Sequence, residues 1–341
     1  MFSLLFYNCI SIISGQNLVS NPSFEDFKEP LKSFADTNYE FIKSIEKWTT
    51  PNLATPDFIS PEFKTNQISF GKPKTGKCMI GLKTGLGWAE YIEIELKENL
   101  ESNQIYYVEF WIKRGKTTNK FYDKDQIANQ NFGIQFLKNE SKYNGTTTII
   151  GSPHIFAKNE LWLTSDKWEK ISDFFVPNQS FKILRIGQFR KMGGLPIVLD
   201  GYFLIDDVMV RKVEDLTELT TIGTIPSGAV VSLKNIHFKN GTAEPVDSSF
   251  FQEIDKLFKV LSQNPWVKIK INGHTDSVGK KKDNQILSEK RAQFILQCLL
   301  EKGIDSQRMK FEGFGESKPK VENETPTNRQ INRRVEVEFI E

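Results

Sequence analysis

Hydrophobic and polar positions alternate with a period of two through much of residues 17–213. In Glu90–Leu96, Ile92, Ile94 and Leu96 interleave with charged residues, and similar runs occupy Ile105–Lys113, Trp168–Val176, Phe181–Phe189 and Tyr202–Val210. Side chains of a strand point to opposite faces in turn, so the pattern predicts short strands with one face in a core. No long stretch here carries the 3.6-residue period of an amphipathic helix. Strands at this density, with polar and glycine-rich connections, predict an all-β sandwich of jelly-roll type over 17–213.

The texture then changes. Residues 214–228 lose their aromatics and end in Pro226-Ser227-Gly228, as a linker would. From 229 to 341, Val230–Phe238 is strand-like, and Phe251, Ile254, Leu257, Phe258 and Leu261 recur at helical spacing behind Ser249, with Gln252 three residues on as a capping partner. Trp266–Ile271 alternates as a strand. Ser288–Lys302 reads as a second helix closed by Gly303, with Cys298 in its apolar stripe; Met309–Gly313 and Arg334–Ile340 supply two more strands. The predicted order is β-α-β-α-β-β, an α+β layer.

A chain of 341 residues suits two domains of roughly 100–200 residues each. Its 45 basic and 43 acidic residues leave a net charge of +2, which argues against the broad basic surface of a nucleic-acid binder. Residues 1–15 open on an apolar run that predicts a secretory signal peptide; no Lys or Arg precedes it, which fits a truncated start. The run is shorter than the ~20 apolar residues of a membrane-spanning helix, and the irregular N-terminal strands do not read as a membrane barrel. Cys9 lies inside the signal without a lipid-attachment box. Cys78 and Cys298 make no disulfide framework, and His154, His237 and His274 are too scattered for a zinc site.

Between the second strand and second helix lies Asn272-Gly-His-Thr-Asp-Ser-Val-Gly279, followed by Asn284, Leu287, Ser288 and Arg291. A loop leaving a strand for a helix presents side chains and free amide donors, a sound place for a ligand. Arg291 falls on an otherwise apolar helix face, where a guanidinium needs a carboxylate. Two readings fit. Asp276 and Arg291 form an internal ion pair, or the two recognise a zwitterion, the carboxylate taking an ammonium and the guanidinium a carboxylate in a two-pronged bond.

At these residues the chain resembles the OmpA-like, peptidoglycan-associated domain family. The resemblance is carried by Phe238-x-x-Gly241-x-Ala243, by Ile271-Asn-Gly-His-Thr-Asp276-x-x-Gly279, and by Asn284-x-x-Leu287-Ser288-x-x-Arg291-Ala292. Further on it continues through Gly303-Ile304, Arg308, Gly313-Phe-Gly315-Glu-Ser317, Pro319, Asn323-x-Thr325 and Asn332-Arg333-Arg334-Val335-Glu336. Asn328 stands where the family commonly has glycine. The resemblance implies a non-covalent hold on the diaminopimelate residue of a peptidoglycan stem peptide, with Asp276 on its ammonium and Arg291 on its carboxylate. Thr275, Asn284 and Leu287 would shape the pocket, and Arg334 would add charge. It implies a binding protein of the cell envelope, periplasmic or attached to the outer membrane, and no catalytic role for these residues.

The N-terminal region resembles galactose-binding-like jelly rolls at its two ends, Asn17-Leu-Val-Ser-Asn-Pro-Ser-Phe-Glu25 and Gly201-Tyr-Phe-Leu-Ile-Asp-Asp-Val-Met-Val210. That resemblance implies a structural calcium at Glu25, Asp206 and Asp207, which serve equally well as turn caps. Trp88, Trp111, Trp162 and Trp168 invite stacking on a sugar, although core packing is the commoner use of tryptophan. A glycan or an envelope protein is the expected partner of this domain. Two alternatives are a wall-anchored carbohydrate-active enzyme, using a carboxylate pair drawn from Glu90, Glu93, Glu95 and Glu109, and a component of a secretion or motility complex. Glycosylation sequons at Asn139, Asn144, Asn178, Asn240 and Asn323 are set aside, because a wall binder implies a bacterium.

Overall fold

The computed structural model describes every residue except 1–14, 36, 66–67, 86, 118–125, 129–130, 158–160, 164–166, 191–200, 221–224 and 341. The expected signal peptide and Cys9 lie outside the described residues apart from Gly15, as does the side chain of Trp162. Contacts divide the chain into two compact units, the first built on Asn17–Arg211 and the second on Lys212–Ile222 with Val231–Val337. Among the described residues, no helix is long and apolar enough to cross a membrane.

Two five-stranded sheets dominate the first unit. One has the order Trp48–Thr49, Tyr91–Leu100, Phe181–Gln188, Phe132–Leu137, Ile155–Phe156; the other runs Glu169–Phe175, Tyr106–Arg114, Gly201–Lys212, Met79–Thr84, Asp57–Ile59. All five expected strands are present, with ends shifted by a few residues. Ile92, Ile94, Leu184 and Ile186 of one sheet share a buried cluster with Val108, Phe110, Phe203 and Ile205 of the other, and the Phe132 and Phe203 rings lie 5.0 Å apart. The period of two therefore aims one face of each sheet at a common core, where each large apolar side chain contributes roughly 1.5–3 kcal/mol.

Some polar positions are buried as well. Glu93 pairs in register with Arg185 across two strands, and Arg185 Nε and Nη2 lie 2.6 and 2.5 Å from Glu93 Oε1. Removing one partner would strand a buried charge, at a cost of about 3–5 kcal/mol. Asp57 is buried with its Oδ2 accepting the Tyr202 hydroxyl at 2.7 Å, and burial pushes its pKa up to about 7. Glu90, buried and close enough to feel the Asp57 charge, is raised in the same direction.

The second unit runs β1 (Val230–Ser232), α1 (Ser249–Gln263), β2 (Lys268–Gly273), α2 (Lys281–Glu301), β3 (Met309–Gly313), α3 (Pro326–Asn332) and β4 (Val335–Ile340). The sheet order is β1-β4-β2-β3, with β2 and β3 parallel and Gly273 opposite Gly313. Phe250, Ile254, Leu257, Val260 and Leu261 form the buried stripe of α1, whereas Phe251 of the expected stripe is exposed. The expected capping by Ser249 and Gln252 is not what starts this helix. Asp247 does so, its Oδ1 accepting the Ser249 amide at 2.8 Å. Cys298 is half-buried rather than buried.

Three elements differ from expectation. Strand β1 ends at Ser232, although the strand-like pattern runs to Phe238. Helix α2 begins at Lys281, because its first turns are held by Asn284 and Ser288 rather than by apolar residues. Helix α3, absent from the sequence reading, buries only Asn332; it starts on the Thr325 hydroxyl, which accepts the Asn328 amide at 3.1 Å, with Pro326 at its first position. Within the stretch expected to link the domains, Leu216–Thr220 forms a 3-10 helix with Leu216 and Leu219 buried, and Lys256 of α1 pairs with Asp215 at 2.7 Å.

The raised acid pKa values set a direction for stability against pH. Asp57 and Glu90 hold protons more tightly folded than unfolded, so their contribution is fully present below about pH 4; that of Asp57 is lost as pH rises through about 7, and that of Glu90 is lost well above the ordinary carboxylate range. Thermal denaturation of the full chain should show the midpoint of the first unit falling between about pH 5 and pH 7.5, with a shallower fall in Asp57→Asn. A midpoint that rises over this interval, or a slope untouched by the substitution, contradicts the assignment.

Candidate functional site

The site begins with a close approach of helix to sheet. A Cβ on Gly273, the last residue of β2, would collide with the backbone carbonyl of Ser288 in α2; one on Gly313, the last of β3, would lie 2.5 Å from Ser288 Oγ. Only glycine lets the helix sit this near the strand ends. Ser288 then ties the elements together, its Oγ donating to Gln285 O at 2.8 Å and accepting the Gly315 amide at 2.9 Å. One turn further along the helix stands Arg291.

Arg291 is buried, yet among the described residues no carboxylate pairs with it. Its Nε donates to Thr242 O at 2.9 Å, Nη2 reaches Lys239 O at 3.5 Å, and the guanidinium lies 5.0 Å over the Phe238 ring. Burial, then the neighbouring charge of Arg333, lowers the Arg291 pKa, and Asp276 partly offsets this. Asp276 is also buried, with Oδ1 accepting the Val278 amide at 3.0 Å and Oδ2 2.5 Å from Arg333 Nη1. The internal ion pair between Asp276 and Arg291 is therefore not formed. The partner of Asp276 is Arg333, at the C-terminal end of α3, which the sequence reading placed in a motif without giving it a role.

The remaining expected residues divide. Asn284 Nδ2 donates to Asp276 O at 3.3 Å and to Glu316 Oε2 at 2.8 Å, so it braces the loop. Thr275 donates its amide to Gly315 O at 2.9 Å, while its buried hydroxyl has no hydrogen-bond partner among the described residues. Leu287 is half-buried on α2. Arg334 does not stand free as added charge: its Nε lies 2.8 Å from Glu336 Oε1 and its Nη2 reaches Lys318 O at 3.3 Å. Although burial opposes it, His274 and Arg334 hold the Glu336 pKa down at about 2. His274 stacks on Phe314 with ring centroids 5.3 Å apart, and burial lowers its pKa.

These elements enclose a cleft of about 240 Å³. His237, Phe238, Arg291, Gln330, Arg333 and Arg334 contribute to its wall, and among the described residues no acidic side chain lines it. Asp276 reaches the cleft through Arg333. The wall thus offers guanidinium forks to an anion, with one carboxylate behind them that a competing cation can claim.

Residues 238–333 match the OmpA family. Over 94 residues the chain is 40% identical to outer membrane porin F of Pseudomonas aeruginosa, an alignment covering 27% of each protein. It is 29% identical over 142 residues to the probable lipoprotein YiaD of Escherichia coli, covering 40% of this chain and 63% of that one. The peptidoglycan-associated lipoprotein from Burkholderia pseudomallei, a solved structure, is 23% identical, with 32% of this chain and 88% of that chain covered and a TM-score of 0.29. The chain spans about a quarter of the porin and under two thirds of YiaD. Asp276, Arg291 and Arg333 all fall inside the OmpA-family match.

In the first unit, the residues considered for metal or catalysis have partners within the protein. Glu25 Oε1 accepts the Lys77 and Cys78 amides at 2.7 and 2.8 Å, Asp206 Oδ2 those of Lys74 and Thr75 at 2.7 and 3.1 Å, and Asp207 Oδ1 the Thr75 hydroxyl at 2.6 Å. The carboxylates converge on one turn as caps. Among the described residues, no cluster of three or more His, Cys, Asp or Glu is arranged to hold a metal ion. Glu93 and Glu95 pair with Arg185 and Lys182, Glu109 lies 3.5 Å from Lys170 Nζ, and Glu90 accepts the Lys83 amide and the indole N–H of half-buried Trp88. Trp111 and Trp168 carry the Lys74 and Lys113 ammonium groups over their rings at 3.8 and 4.5 Å, which covers one face of each.

The close approach at Gly273 is directly testable. Gly273→Ala should lower the stability of the second unit by about 1–3 kcal/mol, the usual cost of overpacking, and shift the Ser288 and Arg291 resonances in NMR spectra. An unchanged melting profile and spectrum would show that the helix does not depend on this contact.

Proposed function

We propose that the OmpA-family unit binds peptidoglycan non-covalently by gripping the free zwitterionic end of a diaminopimelate residue, and so tethers the chain to the wall of a Gram-negative-type envelope. The observation that carries this reading is the buried Arg291. Its guanidinium is held by carbonyl oxygens and an aromatic face, and among the described residues Nη1 makes no hydrogen bond, so a charged fork is kept oriented for an incoming carboxylate.

The second half of the recognition is an exchange of partners. An ammonium group arriving at Asp276 takes the place of the Arg333 guanidinium, and the half-exposed Arg333 then turns to the ligand carboxylate beside Arg291. Charge is conserved through the exchange, which limits the desolvation cost of binding in a partly buried site. Thr275, with its unpartnered hydroxyl, supplies a further polar contact. The arrangement binds and does not cleave.

For the first unit we propose a jelly-roll module that presents a glycan or an envelope protein. Its two sheets over one core support that reading, and its ion-paired glutamates favour binding over hydrolysis. The relatives' outer-membrane and lipoprotein descriptions support an exported, periplasmic or outer-membrane-attached protein.

Co-sedimentation of the full chain with diaminopimelate-type sacculi tests the pocket. Asp276→Ala and Arg291→Ala should each weaken retention at least about tenfold, since truncating one partner of a buried charge pair costs about 2–5 kcal/mol. Arg291→Lys, which keeps the charge without the fork, should also lose most of it. Wild-type retention by folded forms of these variants would refute the assignment.

A further inference from the structure

The arginines of the cleft wall leave one guanidinium without a counter-ion. Arg291, Arg333 and Arg334 all contribute to the wall, and among the described residues no acidic side chain does. Two of the three have a carboxylate behind them. Arg333 Nη1 lies 2.5 Å from Asp276 Oδ2 while its Nη2 donates to the Gln330 side-chain oxygen, and Arg334 Nε lies 2.8 Å from Glu336 Oε1. Arg291 has the neutral carbonyl oxygens of Thr242 and Lys239 and the Phe238 ring. Burial lowers its pKa, and so does the neighbouring charge of Arg333, with Asp276 opposing.

The zwitterionic end of a diaminopimelate residue does not remove this excess, because it brings one ammonium and one carboxylate. With the ammonium on Asp276 and the carboxylate in the fork of Arg291, the released Arg333 becomes the group without a counter-ion. An unpaired charge in a partly buried cleft is costly. A second carboxylate relieves it.

We propose that the cleft selects a ligand of net negative charge, holding the zwitterionic end between Asp276 and Arg291 and a second carboxylate on the released Arg333. The inference rests on the peptidoglycan-binding reading and deepens it by naming the charge state of the stem peptide that binds best. Two groups near the zwitterionic end have the required chemistry. One is the main-chain carboxylate of diaminopimelate where that residue ends the stem; the other is the α-carboxylate of a γ-linked glutamate before it. Amidation removes either charge and leaves the zwitterion untouched. Arg334 is the poorer receiver, since Glu336 already neutralises it.

Isothermal titration calorimetry of the full chain at about pH 8, where ordinary imidazoles carry little charge, tests this. The probes are the N-acetylated tripeptide of L-alanine, γ-linked D-glutamate and meso-diaminopimelate, and its amides at the glutamate α-carboxyl, at the diaminopimelate main-chain carboxyl, and at both. Wild type should bind the parent about three- to fivefold more tightly than the double amide, the range of a partly exposed ion pair. The single amides should divide that loss according to which carboxylate Arg333 receives. In Arg333→Gln, parent and double amide should bind alike. Equal binding of all four peptides by wild type overturns the inference, as does a preference that survives in Arg333→Gln; the wild-type comparison decides whether or not the variant folds. Binding that Arg291→Ala abolishes leaves the pocket reading standing in either case. Absence of Arg291-sensitive binding for all four peptides sinks both.

Discussion

The second unit depends on how near α2 comes to the ends of β2 and β3. Two glycines in register across a parallel strand pair, Gly273 and Gly313, clear the space that the Ser288 backbone and hydroxyl occupy. Ser288 then joins the helix to the turn after β3 through the Gly315 amide. Because a helix advances one turn in 3.6 residues, fixing Ser288 fixes Arg291 on the same face. The loop between β2 and α2 is short and closed at both ends, so Asp276 is positioned by the same contact. A methyl group at either glycine would move the charges of the cleft together.

With its geometry set, the cleft keeps its charges in an unsaturated arrangement. Arg291 is held by neutral oxygens and a ring face without a bond to Nη1 among the described residues, and Asp276 pairs with Arg333, whose side chain remains partly in solvent. A buried ion pair between Asp276 and Arg291 would have been self-contained and would have left nothing for a ligand. Pairing the carboxylate with a partly exposed arginine from another element leaves Arg291 without a carboxylate among the described residues. On the proposed reading, ligand charges replace charges already present, which keeps the desolvation penalty of association small.

Much of this was readable from sequence, for reasons tied to periodicity. The five clear strands of the first unit and the apolar stripe of α1 announce themselves because burial is one-sided. The first turns of α2 do not, because Asn284 and Ser288 are buried for hydrogen bonding rather than hydrophobicity. Helix α3 is nearly all polar and exposed, leaving only Thr325 and Pro326 as signals of its start. Asp276 and Arg291 were legible as a pair of opposite charges in one motif, but not their separation by Arg333. The doublet Arg333-Arg334 at the entry to an alternating strand held a clue, since consecutive residues there point apart: one turns to Asp276 and the other to Glu336. Likewise Glu25, Asp206 and Asp207 have the chemistry of calcium ligands, and the sequence does not show that they also cap the turn around residues 74–78.

The central claim is that Asp276 and Arg291 receive opposite ends of one zwitterion. The most direct measurement is a crystal structure of the chain bound to a muropeptide with a free diaminopimelate end. The ligand carboxylate should make a two-pronged contact with Arg291, its ammonium should lie within hydrogen-bond distance of Asp276, and Arg333 should be displaced from Asp276. A ligand bound elsewhere, or one seated in the cleft with the Asp276–Arg333 pair intact, would contradict it.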